Sequence, residues 1–148
     1  MQVKEILLKK GQEVKAVEKS ATYEELARRM KREDVGALMV RTASGGLAGV
    51  VAERDLVRAF ADFGLRALSL TAEQLMTSAA QRCAPSDSLS RVARPMTSHK
   101  VRHLPVVWRD RLVGVVSLGD VVKHRLDEVE LETRVLRDLA ARPALGAV

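Results

Sequence analysis

The spacing of apolar residues alternates between helical and strand patterns in the same order in each half of the chain. Behind a capping box that begins at Thr22, apolar positions recur every three or four residues as far as Asp34, which predicts an amphipathic helix. Apolar runs at 37–40 and 47–51 flank Gly45-Gly46 and predict a β-hairpin. Helical spacing then returns, so each half is predicted to run helix, strand, helix, hairpin, helix.

The second half repeats this pattern with one internal conflict. Strands are predicted at 104–108 and 112–117 around a turn at Arg109-Asp110. The helix predicted over 88–97 contains Pro95, and a proline inside a helix costs about 3 kcal/mol because it lacks an amide hydrogen and its ring clashes with the preceding turn. We therefore expect this helix to kink or to end early.

An internal repeat organises the chain. Residues 47–57 match residues 112–122 at an offset of 65, and residues 35–40 match residues 101–106 at an offset of 66. The fold class is therefore α+β, built from a tandem duplication. The predicted boundaries are 3–68 for the first repeat, 70–131 for the second, and 132–148 for a C-terminal helical extension and tail.

The last predicted helix is long and carries an apolar stripe. Apolar or small residues on it alternate spacings of four and three, which is a heptad seam: Val122, Leu126, Val129, Thr133, Leu136 and Ala140. A seam of this kind favours a partner helix, and we predict a homodimer. The alternative is that the stripe packs on the protein's own core.

Composition narrows the class of protein. The chain has 148 residues, of which 47% are hydrophobic and 30% charged, as in ordinary globular domains. The single cysteine cannot form an internal disulfide, no signal-peptide pattern is present, and no apolar run approaches the ~20 residues of a membrane span, so we expect a cytoplasmic protein without a membrane partner. The net charge of +6 favours anionic ligands, but 3% aromatic residues are too few for a single-strand nucleic-acid platform.

The strongest candidate for chemistry is the junction at 114–120, where a predicted strand leads into the last helix. Helix N-termini favour anions such as phosphate. Ser117 adds a hydroxyl, Gly119 permits close approach of a ligand, and Asp120 offers two oxygens to ribose hydroxyls. The same Ser-x-x-Asp spacing is also a capping box that needs no ligand.

The duplication repeats this junction at 49–55, which ends in Asp55. The segment from Gly114 to Asp120 follows a first strand whose residues 103–107 are His-Leu-Pro-Val-Val. In this combination, with the junction repeated in both halves, the chain resembles a pair of cystathionine-β-synthase (CBS) repeats, also called a Bateman module. The resemblance covers residues 3 to 131, and in detail the chain is similar to small stand-alone bacterial CBS-pair proteins. It implies two CBS repeats related by pseudo-two-fold symmetry.

The resemblance implies a non-catalytic regulatory module that binds adenosine-containing nucleotides between the repeats, namely AMP, ADP, ATP or NAD, and signals to a regulated protein. It implies no required cofactor. The residues that it assigns to the nucleotide are Asp120 and Asp55 for ribose hydroxyls, Ser117 and Gly119 for ribose or phosphate, Arg102, His103 and Leu104 for adenine or phosphate, and Arg54 for positive charge. Ala52 stands where the family usually has Ser or Thr, which predicts a weaker first site.

Two other functions are weighed against this one. A pI near 9.9 leaves a basic nucleic-acid-binding or transcription-associated adaptor as the alternative, although acidic residues interrupt the basic segments. His99 and His103 are four apart, but the strand predicted after them argues against a metal pair on one helix. No metal site and no catalytic residue are predicted.

Overall fold

The computed structural model describes residues 1–11, 14–78, 81–99 and 101–143. It contains six α-helices and five strands in these residues. The helices are α1 (Val3–Lys10), α2 (Tyr23–Glu33), α3 (Glu53–Phe63), α4 (Ala72–Leu75), α5 (Leu89–Ser98) and α6 (Leu118–Ala141), and the strands are β1 (Ala16–Glu18), β2 (Ala37–Arg41), β3 (Leu47–Ala52), β4 (His103–Trp108) and β5 (Arg111–Ser117). A 3-10 helix, Gly64–Ser69, links α3 to α4, and the sequence pattern did not predict it.

Each half builds a small sheet with one face on its own core. In the first half the strand order is β1-β2-β3, with β1 parallel and β3 antiparallel to β2. In the second half β4 and β5 form the hairpin, and a third strand is reduced to a single parallel bridge between Cys83 and Val106. The apolar-polar run at 81–84 therefore forms less of a strand than its pattern suggests.

The two hairpin turns follow the local chemistry. Arg109 and Asp110 both have positive φ, 50° and 60°, as a two-residue hairpin of the primed type requires, so the predicted turn is confirmed. Gly45 has φ of 89°, in the region that favours glycine. The carbonyl of Gly45 accepts from the amide of Leu112 at 3.0 Å, which joins the two halves at their turns.

The short helices at the start of the two halves are exchanged. Val3 and Ile6 of α1 are buried in the core of the second half, whereas Ala72 and Leu75 of α4 are buried in the core of the first. Backbone hydrogen bonds hold both exchanged helices in place. The amide of Val3 in α1 donates to the carbonyl of Asp87, and equivalent backbone bonds hold α4 against the start of α2. Neither half is a separate packing unit.

Two glycines of the repeated junction make room for the exchanged helices. A Cβ atom at Gly114 would lie 2.5 Å from the side chain of Leu7 in α1, and one at Gly49 would lie 2.7 Å from the carbonyl of Thr77, just after α4. Both distances are shorter than van der Waals contact. A side chain at Gly49 would clash with backbone, and one at Gly114 would require the Leu7 side chain to move.

Pro95 lies inside α5, which continues to Ser98 instead of ending early. Two hydroxyls on the last turn bond back to main-chain carbonyls: Ser98 donates to Arg94 at 2.8 Å, and Thr97 donates to Ala93 at 3.1 Å. Val92 and Met96 bury the apolar face of the same helix. Packing and these local bonds offset the amide that proline lacks.

The apolar stripe of α6 is exposed, which contradicts packing on the protein's own core. Val121 and His124 are the buried residues of this helix, and they lie on a different face. Leu126 is 57% exposed and Leu136 is 66% exposed. Over the part of the chain that the structure describes, no helix has the length and apolarity needed to cross a membrane.

Candidate functional site

Each strand-to-helix junction is hydrogen-bonded to the residue that precedes the first strand of its own hairpin. The amide of Leu118, the first residue of α6, donates to the carbonyl of Arg102 at 2.8 Å. Its counterpart, the amide of Glu53 at the start of α3, donates to the carbonyl of Gly36 at 3.0 Å. The two junctions therefore have the same backbone geometry, and each opens on a cleft lined by both halves.

The cleft at the first junction, here called cleft A, has a volume of about 550 Å³. Ala52, Glu53 and Arg54 form one wall. The opposite wall comes from the second half, and its residues include Thr77, Ser78, Gln81, Arg102, His103 and Pro105. Two cationic side chains, Arg54 and Arg102, make this cleft suitable for an anion.

The cleft at the second junction, cleft B, is smaller, at about 250 Å³. Val115 and Ser117 lie on the junction side. The other side belongs to the first half, and its residues include Lys10, Lys15, Asp34, Gly36 and Ala37. His103 lines both clefts.

The two junction carboxylates act as helix caps. Asp120 accepts from the amide of Ser117 at 2.9 Å, and the Ser117 hydroxyl accepts from the amide of Asp120 at 3.1 Å, which completes a capping box. Asp55 accepts from the amide of Ala52 at 2.8 Å, but Ala52 has no side-chain oxygen to return the bond. Capping leaves the Ser117 hydroxyl proton and further carboxylate lone pairs available to a ligand.

Lys10 is the main feature of cleft B that sequence reasoning missed. Its Nζ atom donates to Oδ2 of Asp120 at 2.8 Å and to the carbonyl of Val115 at 3.2 Å. Burial alone would raise the pKa of Asp120, but the bonds from Lys10 and Ser117 outweigh burial and lower it. The carboxylate is therefore held ionised at the junction.

His103 lies where the two clefts meet. Burial is the largest influence on its pKa, which is lowered, and the nearby charges of Lys10 and Arg102 lower it further against the opposing effect of Asp120. The lowered pKa favours the uncharged imidazole at neutral pH, so His103 adds little positive charge to the clefts.

The structure brings most of the predicted site residues to the two clefts. Ala52, Arg54, Arg102 and His103 line cleft A, and Ser117 lines cleft B. Leu104 does not: it is 1% exposed and packs in the second core, so it could reach a ligand only through its backbone.

Gly119 lies instead in a surface groove of about 680 Å³ beside α6, which Arg102 and Ser117 also line. The residues that sequence reasoning missed include Lys10, Lys15, Thr77, Ser78 and Gln81. The offset of 66 aligns Lys15 with Gln81 and could have placed these two residues opposite the junctions.

Within the described ranges, no group of three or more His, Cys, Asp or Glu side chains is arranged to hold a metal ion. Cys83 is buried, and burial raises the pKa of its thiol to about 12, with the nearby charge of Asp87 adding to the effect. This thiol packs in the second core as a small apolar residue.

Comparison with known proteins decides the family. The CBS domain family matches residues 3–62 and 72–127. The chain belongs to this family. CBS domain-containing protein YhcV of Bacillus subtilis is 31% identical over 114 residues, which cover 77% of this chain and 80% of that protein. The predicted pair of tandem CBS repeats and the α+β class are confirmed.

Solved CBS structures share the fold. The CBS-domain protein ATU1752 of Agrobacterium tumefaciens is 35% identical, with a TM-score of 0.78 over 84% of this chain and 99% of that one. The CBS protein PAE2072 of Pyrobaculum aerophilum, complexed with AMP, is 29% identical, with a TM-score of 0.75 over 90% of this chain and 99% of that one. AMP is therefore a ligand of one relative of this CBS pair.

Hypoxic Response Protein I, solved with two coordinated zinc ions, is 27% identical, with a TM-score of 0.73 over 84% of this chain and 98% of that one. Metal binding is thus found among the structural relatives. In this CBS pair His99 is exposed on the C-terminal cap of α5 and His103 begins β4, so the two do not share a helix face.

Proposed function

We propose that this CBS pair is a non-catalytic regulatory module that binds adenosine-containing nucleotides in clefts A and B. The observation that carries the proposal is the duplicated junction: each cleft lies at the N-terminus of a helix whose third residue is an aspartate, and each is lined by two cationic side chains, Arg54 and Arg102 in cleft A and Lys10 and Lys15 in cleft B. Helix N-termini and cations suit phosphate, and a carboxylate suits ribose hydroxyls. The AMP complex of PAE2072 supports this chemistry.

AMP, ADP, ATP and NAD are the candidate ligands, and AMP is tested first because PAE2072 was solved with it. Melting of the purified chain is followed with each compound. A ligand at about 100 times its Kd adds about 2.7 kcal/mol of stability and raises the Tm measurably. The absence of any shift, together with the absence of a co-purifying nucleotide, would contradict the proposal. Rapid hydrolysis of ATP would contradict the assignment as a non-enzyme.

We also propose that the module is a homodimer. The seam of α6 is exposed along its length, and its counterpart α3 exposes Val57, Phe60 and Phe63. Apolar patches of this extent are typical of association surfaces. A second copy of the chain suits the α6 seam because the charges beside the seam complement each other.

The flanking charges favour a parallel arrangement. Consider two α6 helices that run parallel and in register, with Leu126 and Val129 in the seam. Beside the seam, Arg125 then lies opposite Glu130 of the partner subunit, and Glu132 lies opposite Arg137 of the partner subunit. An antiparallel pair with the whole seam overlapped instead places Glu130 opposite Glu130 of the partner subunit. Opposite charges therefore face each other across the seam only when the two helices are parallel and overlap along the whole seam.

Light scattering and cysteine cross-linking test this dimer. We expect a dimer mass at micromolar concentration, and a Leu136→Cys variant that forms an intermolecular disulfide, because a parallel in-register pair places the two introduced thiols together. A matched variant, Arg134→Cys, lies off the seam and is expected to cross-link poorly. A monomer mass, or equal cross-linking of the two variants, would contradict the proposal.

The nucleic-acid alternative predicts a different salt response. Binding through phosphate contacts weakens steeply between about 50 and 200 mM salt because counterions are released, whereas a nucleotide in a cleft is less sensitive. Tight, strongly salt-dependent binding of duplex DNA, without a response to nucleotides, would favour the alternative.

A further inference from the structure

Lys10 lines cleft B and pairs with the carboxylate of the second junction. The residue ends α1, and its ammonium bridges the carboxylate of Asp120 and the carbonyl of Val115, at 2.8 and 3.2 Å. The volume of cleft B, about 250 Å³, is below the roughly 300 Å³ at which ligand pockets begin. Withdrawal of the lysine side chain would enlarge the cleft and leave the charge of Asp120 unbalanced.

Among the described residues, no cation is bonded to the Asp55 carboxylate beside cleft A. The two exchanged helices align at their N-caps, Gln2 and Thr71, so Met76 is the counterpart of Leu7, and these two side chains lie against the equivalent glycines Gly49 and Gly114. The Met76 thioether packs beside Gly49, where an added Cβ would lie 2.8 Å from the sulfur. Asp55 accepts only from the amide of Ala52 among the bonds of the described residues.

We infer that Lys10 is a specificity-determining residue of cleft B that selects phosphorylated nucleosides, an inference that rests on the proposed function. The ammonium is bonded to Oδ2 of Asp120, which also accepts from the amide of Ser117, and Oδ1 is left for a ribose hydroxyl. Lys10 therefore balances the charge of the carboxylate beside which a phosphate would bind, and its ammonium can donate to that phosphate. Adenosine brings no charge, so its binding does not depend on this balance.

The test compares AMP with adenosine by NMR titration of the full chain. The backbone amides of Val115 and Ser117 report on cleft B, and the amide of Arg54 reports on cleft A. The key variants are Lys10→Met, which keeps a long side chain without the charge, and Lys10→Gln, a polar neutral replacement. The matched control is Lys9→Met, which removes an exposed lysine one residue earlier on the same helix.

In cleft B of the wild type, AMP is expected to bind more tightly than adenosine. Both neutral variants of Lys10 should lower this preference about tenfold, because the ammonium that attracts phosphate is lost and the unbalanced Asp120 carboxylate repels it. Lys9→Met and the cation-preserving Lys10→Arg should keep the wild-type ratio. Thermal melting of each variant confirms that it is folded.

Two results would overturn the inference in distinguishable ways. If the neutral variants bind both compounds in cleft B with the wild-type ratio, the proposed function stands and the role of Lys10 is wrong. If AMP moves neither the Val115 nor the Ser117 amide in any of the proteins, nucleotide binding in cleft B fails, and the inference fails with it.

Discussion

The difference between the two junctions can be tested by restoring one hydroxyl, with Ala52→Ser. The backbone already suits it: φ and ψ are −105° and 162° at Ala52, close to the −93° and 160° of Ser117. A serine at this position would therefore place its hydroxyl as Ser117 does, 3.1 Å from the amide of the third helical residue. Since Asp55 already accepts from the amide of Ala52, the substitution completes a capping box on α3.

The expected gain in stability follows from the cap. Replacing an N-cap alanine by serine is worth about 1 kcal/mol in the free energy of unfolding. For a chain of this length a change of that size raises the Tm by about 2–4 °C. The new hydroxyl proton also faces cleft A, so nucleotide affinity there should rise about tenfold, the value of one added hydrogen bond to a polar or charged ligand group.

Two measurements separate these effects. Urea unfolding without ligand measures the cap, and a calorimetric titration with AMP measures the cleft. Ala61→Ser is the matched control, because it makes the same substitution at an exposed position in the interior of α3, where it should slightly lower stability. If Ala52→Ser is no more stable than the wild type, the cap reasoning is wrong. If it is more stable but binds AMP unchanged, the hydroxyl at this position does not contact the ligand.

Three further predictions follow from the fold and the clefts. Gly49→Ala should destabilise by about 1–3 kcal/mol in urea unfolding, because its Cβ would lie 2.7 Å from the Thr77 carbonyl, whereas Gly36→Ala, with 3.9 Å to Glu53, should change little. The lowered pKa of His103 means that its folded state binds fewer protons than its unfolded state, so the free energy of unfolding should fall as the pH falls below about 6.5. The variant His103→Asn should lose less stability between pH 7.5 and 5.5. An equal loss in both proteins would contradict the assignment. Cys83, buried with its pKa raised to about 12, should resist a thiol reagent at pH 8 until urea unfolds the chain, and fast labelling of the folded protein would show that the second core is open.

Local sequence patterns were sufficient for the elements and for the repeat. The capping box at Thr22, the two hairpins and the turn at Arg109-Asp110 all lie where the apolar spacing and turn residues predict them. These features depend on residues within a few positions of each other, so the chain carries them in its order alone. The offset of 65 also pointed to both junctions, where Ser117 and the equivalent Ala52 line the clefts, whereas Arg54 and Arg102 were expected from the resemblance to CBS repeats.

Tertiary structure decided which partner each apolar face meets. The spacing of Val3 and Ile6 predicts a helix with one buried face, but either core offers apolar surface, and only the folded chain shows that α1 packs in the second half. Lys10 reaches Asp120 through that exchange, across 110 positions of sequence. The exposure of the α6 seam was equally undetermined, because a stripe of apolar residues has the same spacing whether it faces a core or solvent.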